Sequence, residues 1–233
     1  MTTHRRTFGR VPSRACVGED SRFIERLDKM ERRLWSVLGA ASGMLFVALI
    51  IGGQSAPVSD DVLIVIELVG LILLVPFLGY LYALMRRAEG ENGWLAATAF
   101  GAGLLALAVK FASAAPYIAA RNMESGAELE QALTAMNNAS FILMLLPLGV
   151  MVGITSAIII TSHVLPAWLG WAGVLTAVAL VINSTALDAE FGPAFLLFLL
   201  WTALSSAIMT RGARTSRTIR STSSEAVMPA PTR

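Results

Sequence analysis

The chain has one cysteine, Cys16, and two histidines, His4 and His163. A single cysteine leaves no intramolecular disulfide framework, and Cys16 reads as a solitary thiol rather than a redox or metal centre. Two histidines cannot supply paired axial haem ligands together with anything else, and no H-E-x-x-H zinc motif occurs. There is no G-x-S-x-G nucleophile elbow; Ser42 sits among small residues in AASGM. The absence of G-x-x-x-x-G-K-[ST] excludes nucleotide-driven pumping by this chain alone. No catalytic group, metal site or cofactor is therefore expected, and His163 reads as a turn residue.

Charge is the other scarcity. Only 15% of the 233 residues are charged while 55% are hydrophobic, and mean hydropathy is +0.66, far from globular averages. The charge that exists is confined. Residues 1–33 carry nine basic and five acidic side chains, and Arg211, Arg214, Arg217, Arg220 and Arg233 follow Met209 against a single Glu225. Most of the segment between them is solvated by lipid. A secretory signal opens with a short basic stretch and a short apolar core; here a long polar segment precedes a long apolar run, which reads as a retained helix.

A helix needs about 20 apolar residues to cross a hydrocarbon core of about 30 Å. Stretches 34–53, 62–85, 94–120, 139–162, 168–186 and 194–210 meet that length or approach it, and runs of this kind in lipid are helices because every amide must be paired internally. The fold class expected is an all-α polytopic bundle of six spans. Basic residues set its orientation. With both termini cytoplasmic, the inner segments hold the two charged ends plus Arg86 and Arg87, and the outer loops hold only Arg121. The acids Asp60, Asp61, Glu124, Glu128, Glu130, Asp188 and Glu190 fall outside as the mirror image of that rule.

The termini read differently from the bundle. Residues 1 to about 19 lack periodicity and are expected to be disordered. From Ser21, Phe23, Leu27, Met30 and Leu34 share a helical face, and Arg22, Arg26, Lys29 and Arg33 form a separate stripe. Two readings stand for that stripe: an interfacial helix touching anionic lipid headgroups, or a charged stop that fixes topology. Residues 211–233 are Ser/Thr/Arg-rich and are expected to be a disordered cytoplasmic tail. The loop 121–138 has helical spacing at Leu129, Leu133 and Met136, which predicts a short amphipathic helix on the outer surface. No nucleic-acid partner is expected, and a protein partner stays unidentified.

Within the spans, the ionisable residues Glu67 and Lys110 are costly and therefore informative. Glu67 lies about 8 Å from the outer start of the second span, and Lys110 about 9 to 15 Å from the outer end of the third, at 1.5 Å per residue. Their depths match on antiparallel neighbours, so they are expected to form an ion pair. One reading makes the pair a solute or proton path; the reading favoured here makes it a lock between two helices. Pro76 and Pro147 are expected to kink their helices. Gly39 and Gly43 form a G-x-x-x-G pair for close helix approach, within the bundle or between protomers.

The turns MRRAEGENGWLAATAF and SHVLPAWLGWAGVL, together with the small-rich first span, resemble an uncharacterised family of six-helix bacterial membrane proteins common in actinobacteria. The likeness covers roughly 34–210, and LPAWLGW is its most specific element. Members commonly carry a basic residue where this chain has Ala167. The resemblance implies a bacterial cytoplasmic membrane location and brings no catalytic or binding residues. Two functional classes remain open: a non-enzymatic scaffold or regulatory partner, which is favoured, and a small-solute or ion transporter using Glu67 and Lys110.

Overall fold

A computed structural model describes residues 37–57, 59–90, 93–122, 127–186 and 192–225. They form six helices and, among the described residues, no strand: α1 (Val37–Ser55), α2 (Asp60–Glu89), α3 (Trp94–Asn122), α4 (Ala127–Ser162), α5 (Ala167–Ala186) and α6 (Pro193–Glu225). Each contains a stretch long and apolar enough to cross a membrane, and the chain is a multi-pass membrane protein. Leu38, Val65, Ile72, Leu105, Leu143, Leu175, Ile182 and Leu200 are exposed on the bundle's outside. In water this would be an aggregation surface; here it is the face that lipid wets.

Residue pairs across the helix contacts run in opposite directions. Gly39 abuts Tyr80, Gly43 abuts Phe77 and Gly53 abuts Ile66, which zips α1 antiparallel to α2. Gly149 against Ala177, Gly173 against Ser156 and Gly170 against Ile160 do the same for α4 and α5. A methyl group at Gly43 would lie 2.5 Å from the Phe77 ring, and one at Gly39 2.8 Å from Tyr80 Cβ. The small-residue pair on α1 thus lets α2 approach within this chain. α6 closes on α1 through Ser206, whose hydroxyl donates to the Ala40 carbonyl and accepts from the Met44 amide. It closes on α5 through Trp201 Nε1, which donates to the Leu169 carbonyl at 3.2 Å. α4 is the most buried span and packs extensively on both α3 and α5.

The α2–α3 turn is held chemically. Gly90 (φ 82°) and Gly93 (φ 47°) take left-handed conformations that other residues reach only at a cost. Glu89 then accepts from the amides of Leu95 and Ala96 at 3.0 and 2.9 Å, capping α3 with a carboxylate at its positive end. At the α4–α5 turn, His163 has φ 52° and donates its amide to the Ile159 carbonyl at 3.0 Å, the position after a helix end that glycine usually fills. His163 is there a turn residue.

Two boundaries lie well away from the sequence expectation. The loop 121–138 does not carry a separate surface helix: α4 begins at Ala127, twelve residues before the expected start at Ala139. Nothing between Ala127 and Asn138 breaks a helix, and AELEQAL is rich in strong helix formers. α6 runs to Glu225, through the first part of the tail expected to be disordered from 211 onward; no proline interrupts it before Pro229. Pro76 lies inside α2, Pro147 inside α4 and Pro116 inside α3. The N-terminal segment 1–33, with Arg22, Arg26, Lys29 and Arg33, lies outside the described residues.

Candidate functional site

Lys110 Nζ and Glu67 Oε1 are 2.9 Å apart, joining α3 to α2. The partners are unequally placed: the lysine side chain is 9% exposed and the glutamate 44%. Lys110 also lies over the Phe141 ring, 5.7 Å from its centroid, a distance at which the ring's negative face attracts a cation. One turn on, the Ser113 hydroxyl donates to the Lys110 carbonyl at 2.8 Å and lies 3.3 Å from Asn137 Oδ1. A polar seam therefore runs from α2 across α3 to α4.

This seam borders a cavity of about 300 Å³. Its lining comes from α1, α2, α3, α4 and α6, with nothing from α5. Gln54, Glu67, Lys110, Thr134, Asn137 and Asn138 stand toward the end of the bundle that carries the α1–α2 and α3–α4 connections. Leu71, Leu74, Leu107, Met144, Leu148 and Phe198 line the deeper part. From Leu63 to Leu74 the cavity descends about 16 Å along α2 at 1.5 Å per residue. On one side its wall is aromatic: Phe141 meets Phe195 edge-on at 5.2 Å, Phe195 meets Phe198 at 5.9 Å, and Phe198 meets Phe46 at 6.4 Å.

Below Leu74 and Leu148 the interior closes. Phe77, Leu78, Met151 and Val152 are almost fully buried. The next void, between α2, α3 and α4 at the level of Leu78 and Thr155, has about 10 Å³, room for at most about one water. The 300 Å³ cavity is thus a pocket with one polar end, within the size range of small-molecule sites.

Among the residues singled out from the sequence, Glu67 and Lys110 come together at this pocket. Pro76 lies deeper on α2, where its carbonyl faces Gly39. Gly39 and Gly43 serve the α1–α2 contact, and neither they, Pro76 nor Pro147 lines the pocket. The sequence reading missed Asn137, Asn138 and Thr134, having assigned them to a loop, and the four phenylalanines. The signal for the asparagines was present: two adjacent amides immediately before an apolar run, on the helical repeat of Phe141. Among the described residues no group of three or more His, Cys, Asp or Glu is placed to hold a metal ion.

No family model matches the chain, and neither a curated protein nor a solved structure matches it significantly.

Proposed function

We propose that this multi-pass membrane protein binds a small solute in the Glu67–Lys110 pocket and belongs to the transporter class, without enzymatic activity. The observation that carries this reading is the pocket itself, whose volume of about 300 Å³ reaches the Lys110–Glu67 ion pair. A scaffold or regulatory partner needs no such void, and lipid-embedded helices gain by packing it away. Passage to the other side requires the floor at Leu74 and Leu148 to part, as in alternating access.

The proposal includes a cell membrane location of the bacterial type implied by the turn motifs, with both termini cytoplasmic, because Arg86, Arg87 and the basic terminal segments then all lie inside. The pocket's polar end faces outward in that arrangement. The stripe Arg22, Arg26, Lys29 and Arg33 is assigned to anionic headgroups at the inner surface.

Cysteine labelling tests the reading in a Cys16→Ser background. Ala114 and Ala106 both line the pocket and lie about 12 Å apart along α3. A small membrane-impermeant thiol reagent is expected to modify Ala114→Cys and Ala106→Cys from the same face, opposite the face that reaches Cys16 in the unsubstituted chain. If Ala106→Cys resists the reagent from both faces, the pocket is not water-accessible and the solute-binding reading is abandoned.

A further inference from the structure

The two charges of the pocket differ in a way that selects a ligand. Lys110 is held in the wall, nearly buried, with Phe141 beside it and its own carbonyl engaged by Ser113. Glu67, nearly half exposed, is the less enclosed of the two. An ammonium carries three donors, and one carboxylate oxygen at 2.9 Å uses one of them. Removing the anion from a buried lysine without replacement is strongly unfavourable. The cation is therefore the fixed element of the site and the glutamate the exchangeable one.

We infer that the pocket takes a single-chain amphiphile with an anionic head, which binds Lys110 in place of Glu67 while its tail fills the apolar depth. This rests on the solute-binding reading above. An amphiphile with a cationic head would set two cations against each other at Lys110, and a neutral head would leave the ion pair as it is. The tail environment is Leu71, Leu107, Met144, Leu148 and Phe198. The depth of about 16 Å between Leu63 and Leu74 bounds the length of chain that fits. The occupant's chain is accordingly of medium length. Glu67 acts in this scheme as a resident competitor that keeps Lys110 paired when the pocket is empty.

Equilibrium dialysis of radiolabelled decanoate against the full-length protein in nanodiscs of zwitterionic lipid, with empty nanodiscs subtracted, tests the inference. Saturable binding is expected, displaced by excess unlabelled decanoate and not by decylammonium. Glu67→Gln is expected to tighten decanoate binding by about tenfold, since it removes a competing anion and keeps the shape. A residue whose role is only to support the fold would not produce that gain. Leu148→Trp, which fills the floor, is expected to abolish binding while leaving the protein folded.

Preferential displacement by decylammonium, or weaker decanoate binding in Glu67→Gln, overturns the anionic class. If decanol or decylammonium binds saturably and Leu148→Trp blocks it, the pocket reading survives and only the ligand class falls. If no probe binds saturably and Ala106→Cys is also unreactive, both fall. Where decanoate binds, adding phosphatidylglycerol to the nanodiscs identifies the source of the anionic head. Retention supports a free single-chain amphiphile, whereas displacement shows that a two-chain bilayer lipid supplies the anionic head and overturns the single-chain class.

Discussion

The two halves of the bundle handle buried polarity in opposite ways. In the half around Thr155, Ser156 and Thr176, the hydroxyls donate to carbonyls on their own helices, those of Met151, Val152 and Ala172, at 2.7 to 2.9 Å. Ser42 does the same with Gly39 at 2.8 Å. Each is satisfied locally, so helices pack against it as if it were apolar. In the half around Lys110, the polar contacts cross between helices: α3 to α2 at Glu67 and α3 to α4 at Asn137. Hydroxyls that close on their own helix go with tight packing, as do the Ser206 and Trp201 groups that reach a neighbouring helix's backbone directly. The side-chain-to-side-chain contacts at Glu67 and Asn137 instead border a chamber.

The largest effect should come from breaking the cross-helix pair. Lys110→Glu sets two carboxylates together and is expected to cost about 3 kcal/mol, the low end for a buried pair because Glu67 is partly exposed. Adding Glu67→Lys should recover most of it, measured by thermal unfolding in detergent. Failure of the double swap to recover stability would mean that the pair does not couple the helices. A smaller effect should separate the halves by volume. Leu78 and Leu107 are both buried, but Leu107 lines the chamber and Leu78 lies against Gly103 in the closed half. Leu78→Phe is expected to lose about 1–3 kcal/mol through overpacking, and Leu107→Phe under about 1 kcal/mol, since the ring has space. Equal losses would erase the distinction drawn between the halves. The smallest effect is at the closed half's turn. His163→Gly should relieve the left-handed backbone and shift stability upward by about 0.5 kcal/mol, after glycine's larger chain entropy is offset. A drop in the melting temperature would indicate that the imidazole itself holds the turn.

The number and type of helices were legible because apolar runs of this length have one stable form in lipid. Glu67 and Lys110 were legible for the opposite reason: a charge in an apolar run stands out, and counting residues from each end gave comparable depths. What hid the chamber was the start of α4. Asn137, Asn138 and Thr134 lower local hydropathy, so they marked a loop, although the helix propensity of the segment before them is unbroken. The aromatic wall was hidden for a deeper reason. In water, a buried Phe and an exposed Lys give a helix a readable face. In this bundle, Phe198 faces the interior and Leu200 faces lipid, and both are apolar, so periodicity does not tell the inside from the outside.

Ser206 carries a consequence for how the protein is made. Its hydroxyl sits between the Ala40 carbonyl and the Met44 amide, so the first helix receives this contact from a residue more than 160 positions later in the chain. At a synthesis rate of about 5–20 residues per second, α1 is in the membrane for roughly 10–30 s before α6 exists. During that interval α1 has its α2 face covered and its α6 face bare. Whatever shields that face in the nascent chain, lipid or the insertion machinery, must yield to the last helix, which makes closure of the ring a late event in biogenesis.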